Sequence, residues 1–234
     1  MHPKAFVTAT GTDLGKTYLT AALVRHWRRA GLDPLALKPV QSGFEQADAA
    51  TSDAGRLLAA MGRPLADLGR VAPWRLAAPL SPDMAAAREG RAVDLDALVA
   101  FCRAALEQAP GPVLVEGVGG VMVPLNERAT VLDWITALGL PVILVAGNYL
   151  GTLSHTLTAL AVLEGRGARV AAVVVNERQP GPVAAAETAA SLRRHHAGPI
   201  LTLPADPAPD ALDRLCRAVE DGIARGEAGA ASGA

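Results

Sequence analysis

The sequence predicts an α/β fold in which one doubly wound, mostly parallel sheet is flanked by helices. Three observations predict it. Short apolar runs alternate along the chain with longer segments of helical periodicity. Most of the apolar runs lack a polar face, as in Val-Leu-Val at 113–115, and strands that are buried on both faces have this composition. Glycines also stand where several of the predicted helices end.

The predicted strands and helices follow one another in alternation. The strands cover 5–10, 34–39, 112–116, 141–146, 170–175 and 199–203. The helices cover 16–30, 52–60, 81–88, 95–108, 131–138, 153–166, 183–196 and 211–225. Gly31, Gly139 and Gly167 follow three of these helices at the position where glycine commonly ends a helix.

The rest of the chain is assigned to loops and one tail. The polar stretch 42–51 is predicted as a loop over the sheet. We expect residues 1–225 to form a single domain, because no internal repeat and no linker interrupts them. Residues 226–234 consist mostly of Ala, Gly and Ser, and we predict a disordered tail there.

Composition and charge exclude several classes of protein. Half of the 234 residues are hydrophobic, which is enough for one large core. The net charge of −1 provides no basic field, so we expect no nucleic-acid partner. No signal peptide pattern and no long apolar run is visible, so we expect no membrane association. Cys102 and Cys216 have no metal-ligand spacing and fit a reducing cytoplasm, and no His pair predicts a structural zinc site.

The first predicted strand ends in a phosphate-binding sequence. Residues 9–17 read Ala-Thr-Gly-Thr-Asp-Leu-Gly-Lys-Thr and lead into the first predicted helix. Backbone N–H groups at such a junction point at phosphate oxygens. Lys16 would reach the β and γ phosphates, and the Thr17 hydroxyl would ligate Mg²⁺. The general pattern places a glycine where this chain has Thr10, but the strand–loop–helix context favours a fold of the P-loop NTPase type.

A second cation follows the second predicted strand. Ligands of a doubly wound sheet bind beyond the carboxyl ends of its strands, so Lys38 would point into the same crevice as Lys16. It has Ser42 and Gly43 close behind it in the sequence. Such a lysine could stabilise charge on a transferring phosphoryl group or on its acceptor. The alternative is an ordinary solvated lysine at the end of a strand.

Three further side chains have a functional and a structural interpretation. Glu116 ends a buried strand before Gly117 and would be a partner of Mg²⁺, or an incidental acid in a glycine turn. Asp53 would be a second metal ligand, or simply an acid in the first turn of a helix. Asn176 offers an amide donor and acceptor that suit an adenine edge, but an amide suits a plain turn equally.

With these residues assembled, the chain resembles the dethiobiotin synthetase family from about residue 5 to about residue 206. The order and spacing of several short motifs carry this resemblance. They are 6–8 leading to 15–17, Lys-Pro-Val-Gln-Ser-Gly at 38–43, Ser-Asp-Ala at 52–54, Pro-Leu-Ser-Pro at 79–82, Val-Glu-Gly-Val-Gly-Gly at 115–120, the strand 141–145, Leu-Gly at 150–151, Ser-His at 154–155, and Asn176. The loop departs from the family at Ala9, Gly11 and Asp13, so we expect its backbone path to differ locally.

The resemblance implies a reaction and its substrates. These are 7,8-diaminopelargonic acid, CO₂ or bicarbonate, and ATP with Mg²⁺. One amine captures CO₂ as a carbamate, the γ-phosphate of ATP activates that carbamate as a mixed anhydride, and the second amine closes the cyclic urea. The resemblance also implies a homodimer whose substrate lies near the subunit interface.

The same resemblance implies roles for residues that match the family motifs. Lys16 and Lys38 would be catalytic, and Thr17, Asp53 and Glu116 would hold Mg²⁺. The substrate would contact Thr12, Ser42, Pro82 and Gly151. The ATP site would comprise Thr12, Asp13, Leu14, Gly15, Lys16, Thr17, Tyr18, Asp53, Glu116, Gly117, Val118, Gly119, Asn176, Glu177, Pro204, Ala205 and Asp206.

Other proteins share this type of fold. Partitioning and septum-positioning ATPases are switches that bind DNA or membrane. This sequence has no basic patch, and it carries the motif at 38–43, which such switches do not need. A glutamine-dependent amidoligase of the cobyrinate type would require a glutaminase domain, for which 234 residues leave no room. A P-loop chaperone or binding module stays open as an alternative.

Overall fold

Six parallel strands form the central sheet of the protein, whose computed structural model describes residues 2–177, 181 and 183–231. The strands found in that part of the chain are β1 (Lys4–Ala9), β2 (Leu35–Leu37), β3 (Val40–Ser42), β4 (Trp74–Leu76), β5 (Val113–Glu116), β6 (Val142–Gly147), β7 (Val170–Asn176) and β8 (Ile200–Leu203). The sheet order is β2-β5-β1-β6-β7-β8, and each neighbouring pair is parallel. The predicted doubly wound sheet is confirmed.

Helices cover the sheet and follow its strands in sequence. They are α1 (Lys16–Arg29), α2 (Asp53–Met61), α3 (Leu68–Val71), α4 (Pro82–Arg88), α5 (Leu95–Gln108), α6 (Val131–Leu138), α7 (Thr152–Gly165), α8 (Ala185–Leu192) and α9 (Pro209–Ala231). Short 3₁₀ turns occur at Gln46–Asp48 and Leu65–Asp67. Within the described residues, no helix has both the length and the apolar character needed to cross a membrane.

The core explains why the central strands are so apolar. Every residue of β6 is buried, because helices cover both faces of the sheet. Beneath the sheet, the rings of Phe6 and Trp134 meet edge to face with centroids 4.8 Å apart. The buried apolar side chains form one cluster that extends from Ala5 to Ile223. This continuity supports the predicted single domain over residues 1–225.

Left-handed glycines end several helices where the sequence predicts them. Gly31, Gly139 and Gly167 have φ values of 79°, 66° and 72°. Only glycine adopts this conformation without steric cost, and it lets the chain leave the helix sharply. The short connections that result return the chain to the sheet.

The structure differs from the sequence prediction in four places. Strands β3 and β4 form a small second sheet that the sequence does not predict, and β3 includes Ser42, the first residue of the predicted loop 42–51. Helix α3 is not predicted either. Helix α8 ends at Leu192, before the polar run 193–196. Helix α9 continues to Ala231, so residues 226–231 belong to a helix where a disordered tail was expected. Ala and Glu in this stretch favour helix, and residues 232–234 of the predicted tail lie outside the described residues.

Candidate active site

A cavity of about 1040 Å³ opens at the carboxyl ends of the central strands. This is where a parallel doubly wound sheet binds its ligands. Its walls come from the loop 12–17 with the adjoining face of α1, the segments 41–43 and 51–56, the segment 79–82, and residues 118–123. The predicted residues Thr12, Asp13, Gly15, Lys16, Thr17, Tyr18, Lys38, Ser42, Asp53, Pro82, Val118 and Gly119 all line it.

The phosphate-binding loop has two left-handed residues. Gly15 has a φ of 95° at the start of α1, and a Cβ there would collide with the amide group of Asn176. Asp13 has a φ of 57°, and among the described residues it is the one non-glycine with a positive φ. Aspartate tolerates this conformation better than most side chains do. The strained residue falls in the segment where the loop departs from the family pattern.

Lys16 lines the cavity and is buried. Its Nζ donates to Gly119 O at 2.8 Å and to Gly11 O at 3.3 Å, so the ammonium faces backbone carbonyls on both sides. Burial, and next the nearby charge of Lys38, lower the pKa of Lys16 to about 8. An anionic ligand would favour the charged form of this lysine and raise its pKa.

Lys38 and Glu116 form the centre of a polar cluster. The Lys38 Nζ lies 2.8 Å from Glu116 Oε1 and 3.1 Å from Asp53 Oδ2, and it also donates to Gly117 O at 2.9 Å. Thr17 Oγ1 donates to the same Glu116 oxygen at 2.6 Å. The other oxygen, Glu116 Oε2, is buried and has no hydrogen-bond partner among the described residues. The cluster therefore joins residues at the carboxyl ends of β1, β2 and β5 with Asp53 at the start of α2.

The charges of this cluster stabilise one another. Burial alone would lower the pKa of Lys38, but Glu116 and Asp53 outweigh it and hold that pKa above its ordinary value. Burial would raise the pKa of Asp53, whereas the charge of Lys38 and its hydrogen bond to Asp53 outweigh burial and lower that pKa. Lys38 and Asp53 are therefore both charged near neutral pH.

Gln41 is a residue that sequence reasoning missed. Its Oε1 accepts the backbone N–H of Ala54 at 3.1 Å, and the Ser52 side chain caps the same helix by accepting from Gly55 N. Together they fix the first turn of α2 and so hold Asp53 beside Lys38. A single glutamine gives no local signal of such a role, since its partner lies 13 residues further along the chain.

Two arginines in the cavity were also missed. Arg25 and Arg56 line it and are exposed. Arg25 stands eight residues after Thr17, with Ala21 between them, so all three lie on one face of α1. This spacing in the sequence could have indicated that Arg25 faces the same cavity as Thr17.

Several predicted site residues lie outside the cavity. Gly151 stands at the start of α7, beyond β6, and Pro204, Ala205 and Asp206 are exposed after β8. Leu14, Glu116 and Gly117 do not line the cavity either.

Asn176 and Glu177 make contacts that the sequence does not predict. The Asn176 Nδ2 donates to Leu14 O at 2.9 Å, so this amide supports the phosphate-binding loop. Glu177 Oε1 accepts from Ala185 N at 3.3 Å, near the start of α8. Contacts of both residues with adenine stay predictions.

Relatives with known names match most of the chain. A family model described as AAA domain matches residues 4–208. An ATP-dependent dethiobiotin synthetase of Acidiphilium cryptum is 54% identical over 81% of this chain and 86% of its own length. The same enzyme of Methylobacterium nodulans is 49% identical over 82% of this chain and 88% of its own. The chain belongs to the ATP-dependent dethiobiotin synthetase family. ATP is therefore a co-substrate.

Solved structures of P-loop proteins show the same fold. The chain aligns with MinD in a MinC:MinD cell division complex from Aquifex aeolicus with a TM-score of 0.54 and 16% identity, covering 95% of this chain and 94% of that one. It aligns with the signal recognition particle receptor FtsY from Elizabethkingia anophelis with a TM-score of 0.55 and 12% identity, covering 94% and 66%. At these identities the likeness concerns the fold alone.

The oxygen-bearing side chains around Glu116 fit a hard divalent cation. Mg²⁺ prefers oxygen ligands, and Thr17, Asp53 and Glu116 bring hydroxyl and carboxylate oxygens together. The unpartnered Glu116 Oε2 is a buried acceptor that such an ion would satisfy. Within the described part of the chain no three His, Cys, Asp or Glu residues cluster around a metal position. Water and phosphate oxygens would have to complete the coordination.

Proposed function

We propose that the protein carboxylates 7,8-diaminopelargonic acid with CO₂ and closes it to dethiobiotin, converting ATP to ADP and phosphate. The observation that carries the proposal is the convergence of two buried lysines, Lys16 and Lys38, on one cavity beside a carboxylate pair. The reaction must bring a carbamate and a polyphosphate together, and both are anions. A site for it needs cations on both sides, which this cavity offers.

The proposed chemistry has three balanced steps. An amine of the substrate adds to CO₂, loses a proton and becomes a carbamate. A carbamate oxygen then takes the γ-phosphoryl group, so that the bond to the β-phosphate breaks and ADP leaves. The second amine attacks the carbon of this mixed anhydride and loses a proton, the cyclic urea forms, and phosphate departs with the bonding electrons.

Lys16 and the phosphate-binding loop would hold ATP. The N-terminus of α1 and the loop N–H groups favour anionic oxygens, and Lys16 lies at this point. Thr17, Asp53 and Glu116 would hold Mg²⁺, which when bound neutralises charge on the phosphate oxygens. These side chains lie within hydrogen-bond or ion-pair distance of one another around Glu116 and Lys38, which supports a shared metal site.

Lys38 would act on the acceptor side of the phosphoryl transfer. Lys38 follows β2 and Lys16 follows β1, and one strand, β5, lies between these two in the sheet. From there its charge would offset that of the carbamate as the γ-phosphoryl group moves. Ser42 lines the same cavity, and its buried hydroxyl has no partner among the described residues, which supports a contact with substrate together with Thr12 and Pro82.

We also propose that the enzyme works as a homodimer in the cytoplasm. Gly151 lies outside the cavity of its own chain, and the neighbouring Leu150 is 90% exposed. Both features suit a subunit interface across which Gly151 would reach the substrate of the partner subunit. Cys102 and Cys216 are buried free thiols, which suits a reducing compartment. Asn176, Glu177 and residues 204–206 would border the adenine.

The decisive experiment measures phosphate release with diaminopelargonate, bicarbonate and MgATP, followed by mass detection of the product. We expect phosphate release to require all three substrates and to match the amount of a product with the mass of dethiobiotin. A nucleotide switch of the same fold would hydrolyse ATP equally with and without diaminopelargonate. That result would refute the proposal.

A further inference from the structure

The ammonium group of Lys38 uses all of its donors within the protein. An ammonium carries three N–H groups and no acceptor. Three oxygens surround Lys38 Nζ, namely Glu116 Oε1 at 2.8 Å, Gly117 O at 2.9 Å and Asp53 Oδ2 at 3.1 Å. The side chain is only 3% exposed. Lys38 can therefore contact a substrate anion only after it gives up at least one of these oxygens.

Two of the three oxygens belong to the side chains that would hold Mg²⁺. The metal needs oxygens at about 2.0–2.1 Å. Glu116 Oε2 is open to it, but Glu116 Oε1 already accepts from both Lys38 and Thr17, so a metal bound to this carboxylate lies beside the ammonium. Thr17 can keep its hydrogen bond to Glu116 and still offer a lone pair to a metal, since a hydroxyl both donates and accepts. Lys38 cannot, because an ammonium beside the metal adds one cation to another at the same carboxylates.

We infer that Lys38 occupies the carboxylates of Asp53 and Glu116 until a divalent cation displaces it, and that this displacement frees its ammonium for the reacting anions. The identity of those anions, a carbamate and the γ-phosphate, rests on the proposed function. The exchange of Lys38 for the metal at these oxygens rests on the contacts of Lys38 and on the proposed metal site, and it does not depend on which anions react. In this exchange, binding of the metal ion releases the ammonium group of Lys38.

The exchange has a consequence for the order of binding. A bare divalent ion must compete with a buried ammonium, so it binds weakly by itself. A nucleotide brings phosphate oxygens that complete the coordination of the metal and also receive the displaced ammonium. Metal and nucleotide should therefore enter together. If instead Lys38 were a permanent structural ion pair, metal binding would leave its contacts intact.

The first test titrates the nucleotide-free protein with Mn²⁺ and follows the free ion by electron paramagnetic resonance. We expect Lys38→Met to tighten Mn²⁺ binding by roughly tenfold or more, because the competing ammonium is gone. Arg25→Met is the matched control, since Arg25 lines the same cavity and makes no described contact with Asp53 or Glu116. It should change the affinity by less than about twofold. Equal or weaker binding in folded Lys38→Met overturns the inference.

A second test keeps the inference falsifiable if Lys38→Met does not fold. The sequence contains three lysines, Lys4, Lys16 and Lys38, so ¹⁵N-lysine labelling gives three ammonium signals. Lys4 donates to Leu106 O at 2.6 Å, at the opposite end of β1, and serves as an internal reference. We expect the Lys38 signal, assigned with Lys38→Arg, to shift when Mg²⁺ is added to the complex with a non-hydrolysable ATP analogue.

With the same analogue in chelator, the Lys38 signal should stay where the nucleotide-free protein has it. The inference is overturned if the chemical shift of Lys38 does not change when the metal is added, or if nucleotide alone produces the full change. Dethiobiotin formation by the wild type is measured separately. A wild type that makes dethiobiotin but shows no exchange would leave the proposed function standing and reject only this inference.

Discussion

Lys38 and Glu116 form an ion pair of 2.8 Å in which both side chains are removed from water, with 3% and 0% of their surfaces exposed. The desolvation of two charges offsets much of their attraction, so such a pair adds little to stability as long as it stays intact. Removal of one partner is different, since it leaves the other charge buried with less compensation. This asymmetry makes the pair a sensitive point of the molecule.

We expect Glu116→Gln to lower both stability and metal-dependent turnover. The amide keeps the shape of the side chain but leaves Lys38 with Asp53 as its remaining counter-charge, at a cost on the order of 3 kcal/mol of unfolding free energy. Urea unfolding measures this loss, and the Mg²⁺ dependence of kcat measures the loss of a ligand. Asp33→Asn is the control, because its pair with Arg63 is exposed and should contribute less than about 1 kcal/mol. Equal effects of the two variants would contradict the prediction.

The pH dependence of ATP capture should follow Lys16. Its pKa is lowered to about 8 by burial and then by Lys38, against the opposing charges of Glu116, Asp53 and Asp13. Lys16 is therefore charged below pH 8 and loses its proton as the pH rises through that value. Because bound phosphates favour the charged form, we expect kcat/KM for ATP to fall above about pH 8 while kcat stays level to higher pH.

The control for this pH dependence is Lys16→Arg. A guanidinium does not titrate in this range, so the fall of ATP binding above pH 8 should vanish in this variant even if its affinity is lower overall. Binding of an ATP analogue, titrated between pH 6 and 10, measures the effect. An unchanged alkaline fall in Lys16→Arg would assign the titration to another group.

The convergence of the main site residues follows from the sequence by one physical rule. Lys16 and Lys38 follow buried strands and Glu116 ends one, and the carboxyl ends of parallel strands lie along one edge of the sheet. The sheet order then places β5 between β2 and β1, so Glu116 lies between the two lysines. The order of strands is a tertiary property, and the apolar runs that predict each strand do not encode it.

Other parts of the site had no local signal. Strands β3 and β4 have three residues each, too few to show an alternating pattern, and they pair across more than 30 residues of chain. The hydrogen bond from Ala54 N to Gln41 depends on that pairing, since it fixes where Gln41 stands. The predicted adenine contact of Asn176 was drawn from the chemistry of an amide, which serves the phosphate-binding loop equally well.

The proposed dimer can be tested at Leu150. This side chain is 90% exposed next to Gly151, and an aspartate there would place a charge in an apolar interface. We expect Leu150→Asp to shift the protein from dimer to monomer in sedimentation velocity and to raise KM for diaminopelargonate, with ATP binding unchanged. Leu65→Asp, at an exposed leucine of the Leu65–Asp67 turn, should leave the dimer intact. A wild type that sediments as a monomer would reject the dimer itself.

The last prediction concerns the rate effect of Lys38. A carbamate and a γ-phosphate about 4 Å apart repel one another by on the order of 4 kcal/mol at an effective dielectric near 20. Lys16 and the metal would offset the charge on the ATP side. Among the described residues that line the cavity, Lys38 is the buried cation placed to offset the carbamate side. Its contribution should grow as charge moves during phosphoryl transfer, so it should affect kcat more than ATP binding.

We expect Lys38→Gln to lower kcat by roughly 10²- to 10³-fold, the scale seen when one preorganised electrostatic group is removed. ATP affinity, measured in a separate titration with a non-hydrolysable analogue, should change little. Lys38→Arg should restore only part of the rate, because a planar guanidinium does not replace a compact ammonium among three surrounding oxygens. Lys4→Gln is the matched control and should keep normal kcat, since Lys4 bonds to Leu106 O away from the cavity. A near-normal kcat in Lys38→Gln, or a loss confined to ATP binding, would show that Lys38 does not act on the carbamate.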